Sequence, residues 1–271
     1  ANSLAVATLV TGQETEAALE GLSSLVESLP AGTNLAVLPE LFCYGDLAGL
    51  NSAPDPALAS RAVDAMRKAC AGRAELHLCT SLVMPVREGV GLVTVLVNQS
   101  GTVAQQVQLH HSVRYPWMVT GDELSLAEMP WGKLALVGGD DMLFPELVKV
   151  AALQGAHVIA APLHLQEPWE ERYGLRSRAA ENRVCLVASS RPLDGRAGMI
   201  IDLEREFTLM TAWQERKFDG YINAPLVTEQ APGTGTTCAH IHPVAACNKL
   251  MSEKTDLLLD RPWRLSGDLL H

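Results

Sequence analysis

Apolar positions along this chain recur in two rhythms. Ser3 to Val10 reads as a short strand. Thr15 to Leu29 then places Ala18, Leu22, Leu25, Val26 and Leu29 at helical spacing and stops at Pro30. Asn34 to Leu38 is a compact apolar run before Pro39, the profile of a buried parallel strand. The pattern predicts a helix over Ala57 to Ala71 and a strand over Glu75 to Val83. It predicts a hairpin from Gly91 to Val97 and Thr102 to Leu109 around Asn98-Gln99-Ser100-Gly101. Strands follow at Lys133 to Gly138, His157 to Ala161 and Val184 to Ser189, separated by helices at Phe144 to Leu153 and Pro168 to Asn182. Gly198 to Asp202 with Glu206 to Thr211 reads as a second hairpin. Helices between strands, plus two hairpins, predict a mixed-sheet α/β protein and exclude a strictly alternating barrel. From Glu229 onward the period weakens, with a Gly/Thr/Pro stretch at Ala231 to Thr237. We read residues 1–228 as one domain and 229–271 as an arm packing on it or on a partner subunit.

Composition narrows the class. The chain has 271 residues, 48% apolar and 19% charged, which excludes disorder and provides a core for one large domain. Net charge is −10 and the 21 basic residues are scattered, so no nucleic-acid partner is expected. No apolar run approaches the roughly 18 residues of a membrane helix, so no membrane partner is expected either. Ala1 to Val6 lacks the basic start of a signal peptide. Cys43, Cys70, Cys79, Cys185, Cys238 and Cys247 are dispersed, as reduced thiols in a cytoplasm would be.

Two strand ends carry candidate chemistry. Gly132 to Val137 runs as a strand into a sharp turn, Gly138-Gly139-Asp140-Asp141, before the helix that opens at Phe144-Pro145-Glu146. Such elbows present a nucleophile beside backbone N–H groups, yet Gly139 has no side chain. At the second, Pro39-Glu40-Leu41-Phe42 places a carboxylate where partial burial suits a general base; a plain strand-end Glu is the alternative. Gly138-Gly139 is a poor phosphate turn, because Asp140 and Asp141 would repel the anion. Cys238, His240, His242 and Cys247 offer metal-ligand types within ten residues, but not at the spacing of a zinc module, and we assign no metal.

These segments resemble the nitrilase superfamily of carbon–nitrogen hydrolases over roughly the whole chain. The resemblance rests on Asn34 to Phe42, on the ungapped elbow with Asp141, Phe144-Pro145-Glu146 and Gly155-Ala156, and on Trp169 through Arg176 to Asn182. Lys254 to Trp263 is a weaker fourth match. The resemblance implies a four-layer α-β-β-α sandwich with mixed sheets, a Glu–Lys–Cys triad, no cofactor and a homo-oligomer, typically a homodimer. Glu40 matches the Glu. Gly139 stands at the Cys position, and Gln108 or Leu109 at the Lys position. A further Glu of the family falls on Val113 or Arg114. His110-His111 matches a Lys-x-His remnant at the pocket rim.

Glycine cannot attack a carbon centre. The expectation is therefore a catalytically deficient homologue, either a binder of a small amide, nitrile or carboxylate or a structural or regulatory subunit. The ligand residues would be Gly139, Asp140, Arg114 and Trp169, with Arg114 the available positive partner for Glu40. The alternative is an active amidase or nitrilase-type hydrolase using Glu40 with a non-standard nucleophile or an activated water.

Overall fold

In a computed structural model the chain forms two six-stranded sheets packed face to face, with helices on both outer faces. The structure describes residues 3–11, 14–48, 50–203, 226–229, 235–252 and 255–270. The first sheet holds β1 (Leu4–Val10), β2 (Leu35–Val37), β3 (His77–Val86), β4 (Gly89–Asn98) and β5 (Gly101–Val107). The second holds β6 (Leu126–Met129), β7 (Gly132–Leu136), β8 (Val158–Leu163), β9 (Cys185–Leu193), β10 (Arg196–Asp202) and β11 (Leu226–Glu229). The sixth strand of the first sheet, β12 (Gly235–Ile241), returns to pair antiparallel with β1. Within each sheet three strands run parallel, β1-β2-β3 and β7-β8-β9, flanked by antiparallel neighbours.

Period-two alternation builds the layers. Leu35 and Val37, Leu134 and Leu136, Val158 and Ala160, Cys185 and Val187 meet in the core between the sheets. The intervening Ala36 and Leu38 face outward under α1 (Thr15–Glu27) and α2 (Ala57–Ala69). Ala135, Ile159, Ala161, Leu186 and Ala188 face α3 (Pro145–Leu153) and α4 (Arg176–Asn182). Both faces of the parallel strands are covered, so they read as continuous apolar runs rather than alternating ones. The result is the four-layer α-β-β-α sandwich.

Three strands were not legible. β6 is short and half-buried, β11 straddles the boundary drawn at Glu229, and β12 belongs to the segment read as aperiodic. Residues 235–241, in the segment read as an arm, form an edge strand of the first sheet beside β1. β12 pairs on one side only, and its exposed half keeps polar Cys238 and His240, so its hydrophobic signal is weak. The Glu206 to Thr211 half of the expected second hairpin lies outside the described residues. The Pro168 to Asn182 helix divides into a π-helical stretch, Glu170–Leu175, and α4.

Candidate functional site

The parallel strands of both sheets end on one side of the sandwich, and their C-terminal loops meet there. Beyond β2 the chain turns through Leu38-Pro39-Glu40-Leu41. The Glu40 N–H donates to the Leu163 carbonyl at the end of β8 (3.1 Å), and the Leu41 N–H to Ser81 O (2.9 Å). Leu41 adopts φ +50°, an uncommon conformation for a side-chain-bearing residue. The buried Arg191 guanidinium on β9 holds this turn, donating to the carbonyls of Glu40 (3.1 Å), Gly45 (2.6 Å) and Leu41. One cation from the second sheet thus fixes the turn of the first.

The Glu40 carboxyl is fully buried. Its Oε1 accepts from the Tyr115 hydroxyl at 2.7 Å, while Oε2 has no partner among the described residues. Burial pushes its pKa up. Arg114, the Tyr115 hydrogen bond and Arg191 pull it back in part, and Asp140 pushes it further up.

Across from Glu40 lies the elbow after β7. A Cβ on Gly138 would strike Ser81 Oγ at 2.5 Å and Thr94 Oγ1 closer still; those two hydroxyls bond each other at 2.8 Å. Gly139 has φ +56°, and a Cβ there would lie 2.5 Å from Glu40 Oε2 and nearer to Gln108 Oε1. Backbone and space both call for glycine here.

Gln108, and not Leu109, faces Gly139 and Glu40. The Gln108 Nε2 donates to His110 O at 2.8 Å, which fixes the amide orientation; a flip would set two carbonyl oxygens together. Its Oε1, buried and without a partner among the described residues, points at the space above Gly139.

The neighbouring aspartates are engaged. Asp141 accepts from the Leu109 and His110 backbone N–H groups (3.0 and 2.9 Å) and approaches His110 Nδ1 at 2.8 Å, while the His110 ring stacks on Phe144 at 3.6 Å. Asp140 is salt-bridged to Arg114, whose other nitrogen donates to His164 O at 2.8 Å. Arg114 was expected to pair with Glu40. Its direct partner is Asp140, because the elbow brings that carboxylate to the guanidinium, and Glu40 feels Arg114 only as a nearby charge. Val113, the other position weighed for the family's further Glu, is 98% exposed and points away.

Trp169 stands half-exposed at the mouth of a narrow cleft that it lines with Gly139, Asp140, His164 and Arg178. A wider depression lies beyond Arg114, bordered by Tyr115, His164 and Arg191. Burial and the nearby Arg114 and Arg191 lower the His164 pKa to about 4, so its ring stays neutral.

Tyr115, Arg191 and His164 were not read from the sequence. Arg191 had a usable signal, a cation shortly after the apolar run Cys185–Ala188 on the same strand, since a buried charge must be matched by acceptors. Tyr115 and His164 sit in aperiodic loops. Among the described residues no group of three or more His, Cys, Asp or Glu converges as metal ligands. Instead His242 bonds Asp202 at 2.7 Å, and Cys247 lies against His157.

Comparison with solved structures decides the fold. An amidase from Nesterenkonia sp. superposes with a TM-score of 0.70 at 20% identity, covering 98% of this chain and 96% of that one. A mutant of the Nesterenkonia sp. AN1 amidase from the nitrilase superfamily gives 0.71 at 19% identity, with 98% and 97% covered. The chain has the nitrilase-superfamily fold. No family model matches this nitrilase-like sequence. Locally it is 32% identical over 100 residues to a probable hydrolase, YhcX, of Bacillus subtilis, covering 35% of this chain and 20% of that protein. It is 30% identical over 93 residues to a probable nitrilase, C965.09, of Schizosaccharomyces pombe, covering 34% of each. The matches thus span a fifth to a third of the length of these curated relatives. No helix among the described residues is long and apolar enough to cross a membrane.

Proposed function

We propose that this nitrilase-like chain is a catalytically deficient relative of the carbon–nitrogen hydrolases that binds a small primary amide beside Glu40. The observation that carries the reading is the pairing of a buried carboxyl with a glycine Cα and a glutamine carbonyl, where covalent catalysis needs a nucleophile and a cation. Every substitute nucleophile weighed is otherwise occupied. Asp140 is ion-paired, Asp141 accepts three hydrogen bonds, and Cys43 is buried in the core with its thiol pushed up to about 12.

The unpartnered acceptors sort the ligand classes. Gln108 Oε1 and, while the carboxyl is ionised, Glu40 Oε2 both want a donor, which an amide NH₂ supplies and a nitrile or carboxylate does not. Trp169 and Asp140 line the cleft beside Gly139, and Arg114 holds Asp140 from the neighbouring depression. The family resemblance further supports a homo-oligomer.

The test is ammonia release from a panel of amides and nitriles, with Glu40→Ala as control, alongside calorimetric titration with small amides. No turnover with saturable amide binding is the expected result. Turnover that disappears in Glu40→Ala overturns deficiency and favours a water activated by Glu40. A light-scattering mass of 29.1 kDa overturns the oligomer.

A further inference from the structure

At the opposite end of the second sheet, away from Glu40, a thiol and an imidazole meet. His157 stands just before β8, and its Nε2 lies 3.2 Å from the sulfur of Cys247, which closes a short turn of helix, Pro243–Cys247. Cys247 is exposed.

The ring is held firmly. Its Nδ1 receives the backbone N–H of Lys133 at 2.9 Å. The His157 N–H donates to Lys133 O (2.9 Å), and the His157 carbonyl accepts from Cys185 N–H (3.0 Å). The ring also packs on bare Gly132, where a Cβ would fall 2.9 Å from Cγ.

These contacts decide the tautomer. A nitrogen facing an N–H must be the acceptor, so the ring proton resides on Nε2. Nε2 then donates to Cys247 Sγ, and the sulfur is the acceptor. That polarity matters, because a thiolate accepts a hydrogen bond far better than a thiol. Protonating Nδ1 would turn it against the Lys133 N–H, so His157 does not take up the thiol proton; burial and the nearby Lys249 and Lys133 also hold its pKa down.

We propose that Cys247 is a nucleophilic modification site, activated by the His157 Nε2–H and directed at small disulfides. The thiol first releases its proton to water. The thiolate then attacks one sulfur of R–S–S–R, a Cys247–S–S–R bond forms, and R–S⁻ departs, so electrons and atoms balance without a further oxidant. The approach is open, because the sulfur lies at the surface while the imidazole supports it from one side.

The chain holds its own controls. Cys43, Cys70, Cys79 and Cys185 are buried, whereas Cys238 is exposed on β12 with its thiol pushed up by partial burial. Treating the full chain with dithiobis-nitrobenzoate and locating the label by mass spectrometry should give Cys247 first, roughly tenfold faster than Cys238, the factor that one charge-assisted hydrogen bond is worth. His157→Phe should bring Cys247 down to the Cys238 rate and leave Cys238 unchanged, whereas His157→Gln, which retains a donor, should preserve part of the advantage. Equal rates in the unaltered chain, or no change in a folded His157→Phe, would overturn the proposal. Should His157→Phe fail to fold, nitrogen NMR of the unaltered protein decides: Nε2–H with bare Nδ1 supports it, and Nδ1–H sinks it.

Discussion

Glu40 Oε2 and Gln108 Oε1 converge on the space above the Gly139 Cα, two buried acceptors with no donor between them among the described residues. Such a pair is stable only if one side carries a proton or a donor enters. The raised pKa of Glu40 agrees with the first solution.

Glu40→Gln should stabilise the protein at pH 8 and change little at pH 4. A carboxyl whose pKa is raised in the folded state contributes its full stability below the ordinary carboxylate range, and loses it as pH rises through the folded value. The amide keeps the Tyr115 hydrogen bond and donates permanently toward Gln108. The gain should be about 1–3 kcal/mol, the cost of a buried unsatisfied group. Scanning calorimetry at both pH values checks it; a lower Tm for Glu40→Gln at pH 8 contradicts the acceptor pairing.

Gly139→Cys by itself should not restore hydrolysis. The new side chain meets Glu40 and Gln108 in a left-handed backbone conformation that costs about 1 kcal/mol or more. Gln108→Lys with Gly139→Cys removes one obstacle and supplies a cation, so the pair should release more ammonia from small amides than either single change. Loss of two cooperating groups is not additive, and the comparison of single and double variants reads that directly.

Arg114→Met should destabilise by about 3 kcal/mol, since it leaves Asp140 as an uncompensated, largely buried charge. Pairing it with Asp140→Asn should recover most of the loss. Urea unfolding of the three variants measures the coupling, and a coupling near zero refutes a direct ion pair.

Arg191→Met should cost a similar amount, about 3 kcal/mol, because the carbonyls of Glu40, Leu41 and Gly45 lose buried donors together. Amide exchange should then rise first at Leu41, the strained residue of that turn. Uniform exchange across the chain would show that Arg191 does not act locally.

The period of the apolar residues determined most of the architecture. Runs such as Leu35–Leu38 and Val158–Ala161 are apolar at every position because both faces of a central parallel strand are covered, and that signal is local. Edge strands carry no such mark. β6 and β12 are half-solvated, so their side chains satisfy water as well as the sheet. That the elbow carries Gly139, with no side chain, and that Glu40 follows an apolar strand, is legible in the sequence.

What surrounds Glu40 was decided only by tertiary structure. Arg114 is equidistant in the sequence from no particular carboxylate; the elbow sets Asp140 against it, and Glu40 is left to Tyr115. Gln108 and Leu109 differ by one residue, and the direction of the chain leaving β5 selects Gln108. Arg191 reaches Glu40 across 151 positions of sequence. Strand order determines that proximity, and an amino-acid pattern, whose information is local, does not encode which distant loop will stand opposite.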